Sequence, residues 1–177
     1  YTVTVTDGNN CFTSLTGIIS EPSPFIMTSD YKNVSCFGFN NGKIDVQLNG
    51  GVLPYSYNWN TGQNDISIDS IGIGEYIFTA YDSNNCSLSD VFIITQPDSL
   101  KSELSSPLYF NGHNITFNGF EDGSINLIVN GGTEDYSFLW SNNETSEYLT
   151  NIPAGTYSVV ITDEQGCIVE NSITLTE

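Results

Sequence analysis

The sequence predicts an all-β protein made of tandem immunoglobulin-like antiparallel β-sandwich repeats, strung into an elongated array. Apolar and polar residues alternate in short runs that are rich in Val, Ile, Thr and aromatic residues, and Gly and Asn separate the runs. Such alternation is typical of half-buried strands, and no run has the period of a helix. The pattern also returns along the 177-residue chain, which indicates an internal repeat.

One full repeat yields about seven strands, the number found in immunoglobulin sandwiches. In the segment IDVQL at residues 44–48, for example, every second residue is apolar, so these side chains would face one side of a sheet. One short strand has no clear position. The other strands of the first full repeat are predicted, in chain order, at residues 25–35, 43–49, 54–60, 65–70, 76–82 and 87–95.

Three copies of one phrase define the repeats. The chain begins with YTVTVTDGNNC, and the phrase returns as EYIFTAYDSNNC, ending at Cys86, and as TYSVVITDEQGC, ending at Cys167. We therefore expect a C-terminal remnant of a preceding repeat at residues 1–22. Full repeats follow at residues 23–97, the first repeat, and 98–177, the second repeat. The remnant predicts that the chain is a segment of a longer array.

Short linkers that contain Pro lie at the start of each full repeat, at residues 21–24 and 96–98. Pro restricts the backbone and favours extended geometry. Successive repeats are therefore expected to be strung in line with limited bending.

The charge of the chain argues against two classes of partner. Three Lys, no Arg and 21 acidic residues give a formal net charge of -18. Like charge disfavours binding to nucleic acid and to anionic membranes. No apolar run reaches the roughly 18 residues of a membrane helix, so direct membrane insertion is not expected either.

Acidic residues in loops raise the question of calcium, which takes six to eight oxygen ligands in proteins. Asp82 and Asp163 lie in predicted hairpins, where a carboxylate also serves to accept backbone N–H groups. Glu121 and Asp122 form a further acidic pair. We expect calcium sites here to be weak or absent, and we expect no other cofactor.

Four aromatic residues are predicted to have structural roles. Trp59 and Trp140 each share a strand face with two other aromatic residues. Immunoglobulin sandwiches bury a Trp on the equivalent strand, so core packing is favoured over an exposed sugar-binding platform. Tyr76 and Tyr157 follow a Gly-containing turn at the start of the penultimate strand, and this placement predicts a tyrosine corner.

The sequence does not predict an enzyme. His113 is the only His, so no Ser-His-Asp or Cys-His grouping can recur in the two repeats. The acidic pair at residues 121–122 suggests glycoside hydrolysis only weakly, because Asn40 and Asn41 take its place in the first repeat.

Four motifs follow one another in the first repeat: CFGFNNGKI, NGGVLPYSYNW, IGIGEY and YDSNNC, which begin at residues 36, 49, 71 and 81. The second repeat carries them nearly as well at residues 119–125, 130–140 and 152–167. In this order the motifs resemble the SprB-type repeat of the cell-surface, gliding-motility adhesins of Bacteroidota.

This resemblance implies a structural role. Repeats of that family occur in long tandem arrays in very large secreted proteins, including adhesins of gliding bacteria. We therefore expect a stalk or filament segment of a large exported adhesin at the extracellular cell surface. Its partners would be neighbouring repeats and surface glycans or other surface proteins. The alternative is an accessory carbohydrate-binding module of a secreted polysaccharide-degrading enzyme.

The cysteines predict one disulfide, which would fit an oxidising compartment. Phe117 stands where the first repeat has Cys36, so Cys36 and Cys86 are the only complete pair within one repeat, and we expect a bond between them. The strand pattern places these two residues toward opposite ends of a sandwich, so the bond requires a bent or split first strand. Cys11 and Cys167 are then expected to be free thiols.

Two serines are candidates for modification. Ser70 lies in Asp69-Ser70-Ile71 and Ser99 lies in Asp98-Ser99-Leu100. Both segments resemble the short Asp-Ser/Thr-apolar signal for O-glycosylation of exported proteins in that phylum.

Overall fold

The computed structural model describes residues 1–110 and 112–177, and every regular element in these residues is a β-strand. The seven strand pairings whose register is described are antiparallel. The all-β antiparallel prediction is therefore confirmed. The strands are β1 (Thr2–Thr6), β2 (Phe12–Thr16), β3 (Ile26–Lys32), β4 (Gly42–Asn49), β5 (Ser56–Trp59), β6 (Ile68–Ile71), β7 (Gly74–Tyr81), β8 (Ser87–Ile94), β9 (Lys101–Ser105), β10 (Gly123–Asn130), β11 (Ser137–Trp140), β12 (Leu149–Ile152), β13 (Gly155–Thr162) and β14 (Ile168–Leu175). No helix in this part of the chain has the length and apolar character of a membrane span.

Strands β3 to β8 and strands β9 to β14 form sheets of the same order. The first set forms the sheets β3-β4-β6 and β5-β7-β8, and the second forms β9-β10-β12 and β11-β13-β14. If the six strands of each set are lettered A, B, C, E, F and G in chain order, the sheets are A-B-E and C-F-G. This is the order of immunoglobulin sandwiches without strand D. The predicted immunoglobulin-like class is therefore confirmed, with six strands in the described part of each set instead of about seven.

The chain divides into two compact units. The first compact unit comprises residues 1–30, 45–66 and 77–91, and the second comprises residues 31–44, 67–76 and 92–177. The boundaries of the predicted repeats come from the sequence period and not from these compact units. They therefore stay a prediction.

The core of the second compact unit is built from the inward-facing residues of alternating strands. On β13, Val159 and Ile161 are fully buried, and Val159 pairs with Trp140 across the sheet. Burying an apolar side chain of this size stabilises the fold by about 1.5–3 kcal/mol relative to leaving it exposed. The buried residues of this core are Ile115, Ile125, Leu127, Trp140, Leu149, Ile152, Tyr157, Val159, Ile161 and Leu175.

In the first compact unit, aromatic side chains pack around Phe78. Its ring centroid lies 4.9 Å from that of Trp59 and 5.8 Å from that of Tyr57. The indole N–H of Trp59 donates a hydrogen bond to the carbonyl oxygen of Asp65 at 2.9 Å, so the one polar atom of the ring is satisfied.

The β1–β2 hairpin has the strand alternation of the other repeats, but all of its residues are exposed. Val3 pairs with Leu15, and their side chains are 64% and 78% exposed. The repeat places Val3 in register with Phe78 and Val159, both of which are fully buried. The hairpin therefore exposes an apolar face, whereas the equivalent residues of the other two hairpins are buried.

Candidate functional site

The β13–β14 hairpin is ordered by the carboxylate of Asp163, which is buried. One oxygen, Oδ1, accepts the backbone N–H groups of Gln165 at 2.9 Å and Cys167 at 2.8 Å. The other oxygen, Oδ2, accepts the N–H of Thr133 at 2.8 Å. Gly132 must approach this carboxylate closely, because an added Cβ would lie 2.7 Å from Oδ2. Asp163 thus fixes the position of Cys167.

The β7–β8 hairpin repeats this arrangement around Asp82. Its Oδ1 accepts the N–H groups of Asn84 and Cys86 at 2.9 and 2.8 Å, and its Oδ2 accepts that of Val52 at 3.0 Å. Burial raises the pKa of the Asp82 carboxyl, and these hydrogen bonds to its charged form lower it by more. The net pKa lies below the ordinary value of 3.8.

The β1–β2 hairpin has the same turn without the third bond. Asp7 Oδ1 accepts the N–H groups of Asn9 at 2.8 Å and Cys11 at 2.9 Å. Asn10, which precedes the cysteine, has a positive φ of 65°. Asn tolerates this left-handed conformation better than most residues do, which accounts for its presence in the turn. Three aspartates therefore build one type of hairpin, and each hairpin carries a cysteine.

Cys36 lies in a different kind of loop, which follows β3. The carbonyl oxygen of Cys36 accepts the N–H of Phe39 at 3.1 Å. Gly38 has a positive φ of 76°, and its N–H donates to Oε1 of Gln96 at 2.8 Å. This contact holds the loop beside the chain segment that follows β8.

A disulfide joins Cys36 to Cys167 in the second compact unit, with Cα atoms 5.7 Å apart and a sequence separation of 131. The predicted Cys36–Cys86 bond is therefore wrong, and so is the prediction of a free thiol at Cys167. Cys11 and Cys86 are free and exposed.

The position of Cys86 along β8 gives the physical reason. Cys86 immediately precedes this strand, whereas the loop of Cys36 is held to Gln96, just beyond its other end. Eight residues at about 3.3 Å each separate the two ends by roughly 25 Å. A disulfide requires Cα atoms within about 7 Å, so no bend of the first strand alone can bring the pair together.

The second repeat forms the same loop without a cysteine. The carbonyl oxygen of Phe117 accepts the N–H of Phe120 at 3.0 Å, and the N–H of Gly119 donates to a carboxylate oxygen of Glu177 at 2.7 Å. The rings of Phe117 and Phe120 meet edge to face with centroids 5.4 Å apart. The loop geometry therefore does not depend on the disulfide.

The predicted tyrosine corners have the expected hydrogen bonds. The hydroxyl of Tyr76 donates to the carbonyl oxygen of Gly72 at 3.1 Å, and that of Tyr157 donates to Pro153 at 3.0 Å. Burial raises the pKa of Tyr157, and the negative charge of Glu121 raises it further. Tyr157 belongs to the buried core, whereas Tyr76 is half-buried.

A second set of tyrosines was missed by sequence reasoning. The hydroxyls of Tyr55 and Tyr136 donate to the carbonyl oxygens of Gly50 and Gly131, at 2.5 and 2.7 Å. The recurring spacing of Gly-Gly and Tyr in both repeats was the available signal. These hydrogen bonds stabilise the turns that precede β5 and β11.

Trp59 and Trp140 are each 1% exposed. Their indole N–H groups donate to the carbonyl oxygens of Asp65 at 2.9 Å and Ser146 at 2.8 Å. Neither indole presents a face on which a sugar ring can stack.

The two candidate serines differ in accessibility. Ser70 is exposed, and its hydroxyl donates to the Asp69 carboxylate at 3.0 Å. Ser99 is half-buried, and its backbone lies close to Gly131. A Cβ added at Gly131 would lie 2.2 Å from the carbonyl oxygen of Ser99. O-glycosylation of either stays a prediction, and Ser70 is the more accessible acceptor.

Three of the four candidate calcium-binding carboxylates, those of Asp82, Asp122 and Asp163, accept hydrogen bonds from the protein. Oδ1 and Oδ2 of Asp82 and of Asp163 accept backbone N–H groups, and Asp122 accepts hydrogen bonds from Thr116. Residues 1–110 and 112–177 contain no group of three or more His, Cys, Asp or Glu placed to hold a metal ion. Calcium binding was expected to be weak or absent, and this stays a prediction.

Comparison with known proteins finds one family of repeats that is similar to this chain. The family model described as SprB repeat matches residues 28–64 and 113–145. No curated protein matches the chain.

Two solved structures match this chain over most of its length. The C-terminal 282-residue fragment of intimin, in complex with the intimin-binding domain of the translocated intimin receptor, is 12% identical with a TM-score of 0.43; the match covers 89% of this chain and 65% of that one. The N-terminal eight Ig domains of Down syndrome cell adhesion molecule are 11% identical with a TM-score of 0.41, over 87% of this chain and 24% of that one. This chain spans less than two thirds of either structure. The SprB repeat model matches this chain twice, once in each of the two full repeats that the sequence period predicts.

Proposed function

We propose that the chain is a stalk or filament segment of a large exported cell-surface adhesin, resembling the repeats of gliding-motility adhesins. The observation that carries this proposal is the bond between Cys36 and Cys167, which links one predicted repeat to the next. A covalent link between repeats would keep them together when the array is under tension. Neither a binding pocket nor an active site requires such a link.

The linker between the repeats supports the proposal, because its two ends are held by hydrogen bonds. Gln96 accepts the N–H of Gly38, and the carbonyl oxygen of Asp98 accepts the N–H of Gly132, both at 2.8 Å. Pro97 lies between these two residues, and its ring fixes its own backbone φ near -65°. A linker held in this way restricts bending, as a stalk requires.

The disulfide also supports export. Disulfides persist in oxidising environments outside the cytosol, and small domains with limited cores often depend on them. The proposed location is therefore extracellular, at the cell surface. The high negative charge of the chain would keep the surface of a thin filament well solvated.

We infer that the array continues before the first full repeat and that neighbouring repeats are the main partners of the chain. The exposed apolar face of the β1–β2 hairpin supports this inference, since Val3 corresponds to the buried residues Phe78 and Val159. In a longer protein, the A-B-E sheet of the preceding repeat would pack against this face. Residues 1–22 would then be the end of that repeat.

The proposal assigns no catalytic role to the chain, and it disfavours the alternative of a carbohydrate-binding module. The two Trp residues that would form a sugar platform are buried. A polysaccharide array probed with the oxidised chain should show no binding above background. Specific binding to a polysaccharide would favour the accessory module instead.

Small-angle X-ray scattering of the oxidised chain tests the stalk itself. A compact chain of this length has a radius of gyration of about 16 Å. Repeats strung in line should give a clearly larger radius and a pair-distance distribution with a long tail. A radius near the compact value would contradict the stalk proposal.

A further inference from the structure

We propose that the Cys36–Cys167 bond is a cross-link that carries tension past the enclosed chain, an inference that rests on the proposed stalk function. The bond has a sequence separation of 131, and strands β4 to β13 lie inside the loop it closes. Only β1 to β3 and β14 lie outside. Tension applied to the two chain ends therefore has a covalent path that avoids the enclosed strands.

The strands outside the loop lead directly to the two cysteines. β3 ends at Lys32, shortly before Cys36, and β14 begins at Ile168, immediately after Cys167. Tension passes from β3 to Cys36, crosses the disulfide and continues into β14. Because the ends of the enclosed segment are bonded to each other, no pull on the chain ends can draw that segment out.

The exit strand is well supported where the tension leaves the cross-link. β14 pairs with β13 along its whole length, from the Thr162–Ile168 pair to the Gly155–Leu175 pair. Tension along β14 could separate it from β13 only by breaking these pairs together, whereas a pull across the strand would open them one after another. The Asp163 carboxylate additionally holds the N–H of Cys167 at 2.8 Å, so the hairpin is ordered at the bond itself.

The bond observed shields more of the chain than a bond within one repeat would. A Cys36–Cys86 bond would enclose strands of the first repeat alone and would leave the linker at residues 96–98 exposed to tension. The Cys36–Cys167 bond encloses that linker together with most strands of both repeats. This placement is what a tension-bearing array requires.

The shielded length is measurable. A segment of 131 residues, the sequence separation of the bonded pair, would add roughly 450 Å of contour length if it were drawn out at about 3.3–3.6 Å per residue. With the bond intact, unfolding can release only the residues outside the loop.

The experiment is single-molecule force extension of the 177-residue chain, held by handles at its two ends. Cys11→Ser and Cys86→Ser are introduced first, so that no other disulfide can form. In this background the oxidised protein should show a total contour-length gain that falls short of the full chain by roughly 450 Å. Adding Cys36→Ser should restore the missing length.

A second measurement keeps the test valid if the Cys36→Ser variant does not fold. The same oxidised molecules, unfolded once and then treated with a phosphine reductant, should gain the missing length on the next pull. Release of the full contour length by the oxidised protein would overturn the proposal, and so would an unchanged length after reduction. Scattering that shows a compact particle would contradict the stalk but would leave this force result intact, so the two failures are distinguishable.

Discussion

The carboxylate of Asp163 accepts the backbone N–H of Cys167 at 2.8 Å, and Cys167 is the residue that bonds to Cys36. The same carboxylate accepts two further backbone N–H groups and is 5% exposed. One buried side chain thus orders the hairpin on which the cross-link depends.

Replacing Asp163 should therefore destabilise the fold. In Asp163→Ala, three part-buried backbone N–H groups lose a charged acceptor, and a hydrogen bond to a charged group contributes about 1.5–3 kcal/mol. We expect the free energy of unfolding in urea to fall by at least that amount. Glu164→Ala, an exposed change in the same hairpin, is the matched control and should have little effect. Equal losses in the two variants would refute the role of Asp163.

The buried indoles should contribute strongly to stability. Trp140→Ala removes a side chain that is 1% exposed, and truncating a buried Trp costs about 3–5 kcal/mol. Tyr148→Ala, at an exposed aromatic residue of the same repeat, should cost far less. Denaturant titration measures the difference. Native fluorescence that acrylamide quenches as efficiently as free indole would show that burial of Trp59 and Trp140 is wrong.

The lowered pKa of Asp82 predicts how stability depends on pH. Because the folded state binds this proton less readily than the unfolded state does, the contribution of Asp82 is fully present above its ordinary pKa of 3.8. It is lost as pH falls through the lower folded pKa. The stability difference between wild type and Asp82→Asn should therefore shrink below about pH 4. A difference that stays constant from pH 7 to pH 2 would contradict this assignment.

The β1–β2 hairpin should be the least stable element of the chain. An isolated two-stranded hairpin is marginally stable in water, and every residue of this one is exposed. Hydrogen exchange followed by mass spectrometry should find the amides of residues 2–16 exchanging orders of magnitude faster than those of β13. Strong protection of the hairpin would mean that its apolar face is covered in the isolated chain.

Strand positions were predictable because the period of two is a local property of the sequence. The run at residues 87–95 corresponds to Ser87–Ile94, and the run at 43–49 corresponds to Gly42–Asn49. The first strand was predicted too long, to residue 35. The strand ends at Lys32 because the chain then leaves the sheet, and the N–H of Val34 donates a hydrogen bond to the carbonyl oxygen of Thr95.

The disulfide could not be predicted in the same way. Counting cysteines within one repeat selects Cys86 as the partner of Cys36, but the true partner belongs to the next repeat. Which loop meets which hairpin depends on how one repeat follows another, and no periodicity within a repeat contains that information. Phe117 was a usable signal, since a missing loop cysteine leaves the hairpin cysteine of its own repeat free to pair elsewhere.

The most direct test of the proposed stalk is non-reducing peptide mapping of the 177-residue chain, with free thiols alkylated before digestion. We predict one peptide pair that joins Cys36 to Cys167, and alkylation of Cys11 and Cys86 in the 177-residue chain. The bonded pair should disappear on reduction. A Cys36–Cys86 pair, or an alkylated Cys36, would contradict the covalent link between repeats and with it the proposed stalk.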